Sequence, residues 1–216
     1  MLGKQCTWVE ILKPPKTTSL PDVLSRREVE RVLGAVHKRA YRAFLFVRYS
    51  MGLRLGEGLS LTVGDIDANR RCVHVRRGKG RKDRFVRLPD LTLVILRRFW
   101  AAHRNPRWIF PRLSDPAHAD GPMDRGSIQV ATKKAVLQAG IHRTITIHTL
   151  RHCYATHLIE AGVGLRTVQD ALGHASPNTT VRYVHLTDIV EADVRRAADQ
   201  MAQQLGERIF PWIWPN

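Results

Sequence analysis

One stretch of strict two-residue alternation, set among helical patterns, restricts the fold most. Cys72-Val73-His74-Val75-Arg76 alternates, Gly78-Lys79-Gly80-Arg81-Lys82-Asp83 turns, and Arg84-Phe85-Val86-Arg87-Leu88 returns as a second strand. Helical patterns flank it. Ser25 stands three residues before Glu28, a capping-box spacing that opens a helix carrying Val29, Val32 and Leu33 on one face. A second helix is expected over Tyr41 to Met51, a short one after Arg54, and another over Leu91 to Ala101. Residues 105–122 hold four prolines and read as loop, and helices are predicted over 125–139, 148–161, 165–172, 177–185 and 187–204. Residues 1–24, with Lys13-Pro14-Pro15-Lys16, read as a basic arm. The expectation is α+β: mainly helical, with a small antiparallel sheet built on the hairpin.

Composition narrows the function. The chain has 216 residues and a formal net charge of +16, and the excess is mostly arginine, 27 Arg to 8 Lys. Guanidinium presents a planar fork that matches phosphate oxygens and stays charged in any site, so a nucleic-acid backbone is the expected partner. No apolar run reaches the ~18 residues of a membrane helix, and the first residues lack a signal-peptide pattern. Cys6, Cys72 and Cys153 are odd in number and far apart, which indicates neither a disulfide framework nor a zinc cluster. The expectation is a cytoplasmic protein that avoids membranes.

Short motifs carry the chemistry. His148-Thr149-Leu150-Arg151-His152 opens a helix, with His148 and Arg151 on one face of its first turn and Leu150, Ala155 and Leu158 available to the buried side. An imidazole and a cation at a helix N-terminus favour an anion. In Leu172-Gly173-His174-Ala175-Ser176-Pro177, Gly173 suits a helix C-terminus and Ser176-Pro177 the start of the next helix, so His174 sits in the corner and Tyr183 follows. Upstream are Gly52-Leu53-Arg54-Leu55-Gly56-Glu57 and the Gly78-Lys79-Gly80 turn. Each alone has a plainer reading: Arg54–Glu57 as an ordinary i, i+3 pair, Lys79 as a solvated turn lysine, Tyr183 as a packing residue.

In order, however, Arg54, Lys79, His148-x-x-Arg151, Leu172-Gly173-His174 and Tyr183 resemble the tyrosine recombinase (phage integrase) family, in its bacterial integrase and Xer-like branch, from about Leu20 to Leu186. The resemblance implies breakage and rejoining of DNA through a 3′-phosphotyrosyl link, with no cofactor, metal or ATP. Tyr183 would be the nucleophile. At neutral pH only ~1 in 10³ of free phenol is ionised, a deficit of about 4 kcal/mol, so its proton needs an acceptor, which His148 would supply. Arg54 and Arg151 would clamp the non-bridging oxygens of the phosphorane. His174 would donate a further hydrogen bond, and Lys79 would protonate the departing 5′-oxygen. The implied partners are double-stranded DNA, further copies of the chain in a tetramer on two sites, and a separate protein supplying an N-terminal DNA-binding half.

Other residues receive plainer roles. Arg77, Arg81, Lys82 and Arg84 are expected on a phosphate track with Arg70, Arg71, Arg76 and Arg87. Glu57 is expected to orient Arg54 or nearby backbone, Cys153 to fill core, and His152 and His157 to pack or hydrogen-bond. Family members carry a helical DNA-binding domain ahead of the catalytic one, and none is expected here. The expected division is an arm over 1–24, the catalytic domain over 25–186 and a C-terminal helix with an aromatic tail over 187–216. Gly56 and Gly58 around Glu57 also depart from the family, and Gly58, at ~1 kcal/mol within a helix, is expected to loosen Arg54. A type IB topoisomerase-like nicking and resealing activity and a non-catalytic DNA-binding remnant stand as the alternatives.

Overall fold

A computed structural model of the chain describes residues 23–76, 83–173 and 188–209. The helices are α1 (Arg26–Gly34), α2 (Arg39–Ser50), α3 (Leu55–Leu59), α4 (Asp90–His103), α5 (Arg125–Gln138), α6 (Thr149–Glu160), α7 (Leu165–Leu172) and α8 (Asp188–Ile209). Strands β1 (Ile66–Asp67), β2 (Cys72–Val75) and β3 (Arg84–Arg87) form one antiparallel sheet in the order β1-β2-β3. This is the α+β arrangement the patterning predicts.

Local chemistry sets the boundaries. Ser25 Oγ accepts the Glu28 N–H while the Glu28 carboxylate accepts the Ser25 N–H, closing the capping box, and α1 buries Val29, Val32 and Leu33. Helix α2 is buried over most of its length, from Phe44 through Val47 and Tyr49, because α1, α3, α4, α6 and α8 all pack around it. The hairpin pairs Val73 with Val86 and Val75 with Arg84, so these four share one face, and His74 with Phe85 on the other. The outer pair stacks, ring centroids 5.0 Å apart.

Two features escape periodicity. Strand β1 is only two residues long, too short to alternate visibly. The proline-rich loop is held by Asn105, 1% exposed, whose amide donates to the Pro116 and Ala119 carbonyls while its oxygen accepts the Arg107 and Trp108 N–H groups. A buried amide substitutes for secondary structure there. Helix α8 runs five residues past the predicted end at 204, to Ile209. The helix predicted over 177–185 and the tail over 210–216 lie outside the described residues. Among the described residues no helix is long and apolar enough to cross a membrane.

Candidate active site

Arg54 is the N-cap residue of α3, extended at φ −68°, ψ 154°. Its backbone N–H donates to Glu57 Oε2 at 2.7 Å and its guanidinium Nη1 to Oε1 at 2.7 Å, while Nη2 reaches the Gly173 carbonyl at 3.2 Å. Gly58 is buried against Phe44, and a Cβ there would stand 3.1 Å from the ring, so the glycine admits close packing of α3 on α2.

Glu57 does more than orient Arg54. Arg84 Nη1 donates to Oε1 at 2.7 Å and Nη2 to Oε2 at 2.9 Å, and Arg151 Nη1 lies 3.8 Å away. Burial by itself raises this carboxyl's pKa, but the Arg84 hydrogen bonds, the Arg54 N–H and the nearby positive charge overcome it and hold the pKa at about 2. Arg84, expected on the phosphate track, places its guanidinium on Glu57 here. Its side chain is 15% exposed and turned inward onto Glu57. Strand parity carried the signal, since Arg84 shares its face with Val86 and Phe85 takes the outer one. Of the other expected track residues, Arg71 pairs with Asp90 and Arg76 with Asp65, both keeping exposed surface.

Arg151 is buried. Its Nη1 donates to the Gly52 carbonyl and Nη2 to the Leu172 carbonyl, each at 2.5 Å. Burial first, and then the charge of Arg54, lower its pKa to about 10, so it stays cationic at neutral pH. Gly52 (φ +60°) and Gly173 (φ +62°) allow these approaches: a Cβ on the first would lie 2.5 Å from the Tyr154 ring, and on the second 2.6 Å from Arg84 Cδ. The two guanidiniums thus hang from consecutive carbonyls at the end of α7, where the helix dipole favours cations.

His148 precedes α6 as its N-cap residue and is exposed, whereas Arg151 faces inward, so the two do not share one environment. A step of three residues leaves about 60° between side chains at 3.6 residues per turn, enough to separate them where the helix meets the interior. Partial burial, then Arg48, Arg125, His152 and Arg151, lower the His148 pKa and favour its neutral form. Arg48 is a site neighbour the sequence did not single out. It is fully buried in α2, donates to the carbonyl of Ile147 beside His148, and leaves Nε and Nη2 without partners among the described residues. Its charge among the mostly apolar core positions of α2 was the available signal.

Among the plainer expectations, Cys153 is buried and accepts the Leu24 N–H, and His157 is buried between Tyr49 Oη and the Leu24 carbonyl. His152 instead is exposed. Lys79, His174 and Tyr183, with Arg77, Arg81 and Lys82, lie outside the described residues. Arg54, Arg151 and Glu57 come together; His148 stands at the edge of their field.

The phage integrase family model matches residues 22–189, over the same span that carries this cluster. The chain belongs to the phage integrase family. The integrase-family chain is 40% identical over 182 residues to a putative integrase/recombinase of Sinorhizobium fredii, covering 83% of this chain and 58% of that protein. It is 35% identical over 188 residues to tyrosine recombinase XerD of Neisseria meningitidis, covering 83% and 64%. The fold matches a XerA recombinase with a TM-score of 0.64 at 30% identity, over 88% of this chain and 66% of that one. It also matches a XerH site-specific recombinase bound to difH substrate before cleavage, with a TM-score of 0.59 at 25% identity, over 81% and 54%. This integrase-family chain therefore spans about three fifths of the length of such relatives, and the matched part contains the tyrosine recombinase catalytic domain.

Proposed function

We propose that this chain breaks and rejoins double-stranded DNA as a site-specific recombinase, through a covalent 3′-phosphotyrosyl intermediate and without metal or ATP. One observation carries the reading. Arg54 and Arg151, remote in sequence, donate to the adjacent Gly173 and Leu172 carbonyls and flank one carboxylate. A guanidinium has five N–H donors. These bonds use one Nη1 and one Nη2 donor of each arginine, so each fork is aimed by protein oxygens and, among the described residues, keeps donors for a phosphate.

The nucleophile assignment has a second support. The chain has four tyrosines. Tyr41, Tyr49 and Tyr154 are at most 8% exposed, and burial pushes the Tyr49 and Tyr154 phenols upward, away from ionisation. Their burial supports the reading in which Tyr183 attacks phosphorus and expels the 5′-hydroxyl. His148, kept neutral, takes the phenolic proton; Arg54, Arg151 and His174 hold the non-bridging oxygens; Lys79 protonates the leaving oxygen. Arg77, Arg81 and Lys82 follow the duplex backbone, and a tetramer on two sites exchanges strands.

The test uses the chain with a pool of nicked duplexes that trap the covalent step, in chelator and without ATP, resolved on a denaturing gel. The expected result is a protein–DNA adduct that Tyr183→Phe abolishes. Binding to these duplexes without any adduct would overturn the proposal, and an adduct that requires added divalent metal would overturn its metal independence.

A further inference from the structure

We propose that Arg84 is a positioning residue of this site, one that acts through Glu57 on Arg54; the inference rests on the DNA-cleaving reading above. The geometry is a shared carboxylate. Oε1 takes Arg54 Nη1 and Arg84 Nη1, both at 2.7 Å, and Oε2 takes the Arg54 backbone N–H at 2.7 Å and Arg84 Nη2 at 2.9 Å. A carboxylate offers about four acceptor positions, and two arginines fill them in matched pairs. Arg54 alone would fasten Glu57 along one edge and leave the far edge open; Arg84 closes it.

The same side chain forms part of the wall behind the α7 terminus. Arg84 Cδ lies where a Cβ on Gly173 would come within 2.6 Å, and Gly173 supplies the carbonyl that receives Arg54 Nη2. Arg84 thus touches both anchors of Arg54, the carboxylate and the terminal turn. It is also the first residue of β3, so it ties the β2–β3 hairpin to the arginine pair. The fork accounts for an arginine here: a planar guanidinium reaches both carboxylate oxygens at once, as a single ammonium does not.

The competing role is direct contact with a DNA phosphate, and the two roles move different observables. Arg84→Met and Arg84→Lys are compared with the wild-type chain for cleavage rate at saturating nicked duplex and for affinity across a salt series. The expected result for Arg84→Met is a rate lower by roughly 10- to 100-fold, the range seen for outer-shell partners of metal ligands, with affinity and salt slope unchanged. Arg84→Lys, keeping the charge and losing the fork, falls between. In a Glu57→Gln background, Arg84→Met should cost less than threefold more, because the link is already cut. Weaker binding with a salt slope smaller by about one unit, an unchanged rate, or undiminished loss in the Glu57→Gln background would each overturn the proposal. Side-chain NMR of the DNA-free chain reads the link without cleavage: slowly exchanging Arg54 guanidinium signals should become solvent-averaged in Arg84→Lys, and unchanged signals would overturn the positioning role. A wild-type chain that forms no adduct refutes the cleavage reading itself, and this spectrum still decides whether Arg84 holds Arg54.

Discussion

Arg54 grips the two oxygens of Glu57 from two directions, with its backbone N–H on Oε2 and its guanidinium on Oε1, each at 2.7 Å. The contact fixes the start of α3 and the direction of the side chain together. It works only while Glu57 is ionised.

Stability should therefore depend on acid through this carboxylate. Its folded pKa of about 2 lies below the unfolded reference of 4.5, so its contribution is complete above pH 4.5 and is lost as pH falls toward 2. The difference corresponds to about 3 kcal/mol. Urea unfolding of the wild type and Glu57→Gln across this window should show two curves that converge on acidification. Parallel curves would refute the linkage.

Gly52→Ala should be more costly than a surface glycine change. It forces a side chain to φ +60° and puts Cβ 2.5 Å from the Tyr154 ring. Gly140→Ala at φ +67°, with nothing within 4 Å, isolates the backbone part. The expected losses are about 1 kcal/mol for Gly140→Ala and at least ~2 kcal/mol for Gly52→Ala, measured by denaturant unfolding. Because the Gly52 carbonyl receives Arg151, only the second should also slow DNA cleavage at saturating DNA.

Arg48→Met separates stability from chemistry. Burial first, and then the charge of Arg151, depress the Arg48 pKa to about 10, and two of its nitrogens lack partners among the described residues. Replacing such a charge with an unbranched apolar chain should stabilise the fold by about 1 kcal/mol, despite losing the hydrogen bond to Ile147. The same change removes one of the charges that lower the His148 pKa. That pKa then rises, and the acidic limb of the cleavage rate moves to higher pH, as single-turnover rates would record. An unmoved limb would remove His148 as the titrating base.

Lys79→Ala should block cleavage of ordinary DNA and leave cleavage intact when the 5′ leaving atom is sulfur, since a thiolate departs without protonation. Single-turnover assays on matched oxygen and sulfur substrates check this. Failure of the sulfur substrate would assign the proton to another group.

Much of the architecture was legible in the sequence. The Ser25–Glu28 cap, the β2–β3 hairpin and the helices α1 to α7 follow from hydrogen bonds and periodicities that close within a few residues. The spacing from Arg54 to Tyr183 likewise carries the family resemblance. The sequence did not disclose how charges would pair. Arg84 reads like its exposed arginine neighbours until the sheet packs and turns its face onto Glu57. Arg151 shares its helix turn with His148 but ends buried beneath two carbonyls, one of them supplied by the end of α7. Periodicity records which side of an element is apolar. Apart from the local Arg54–Glu57 pair, which group a guanidinium meets depends on segments brought together only when the core closes, so the partners of Arg48, Arg84 and Arg151, and the Gly173 carbonyl that receives Arg54, were decided by the tertiary structure.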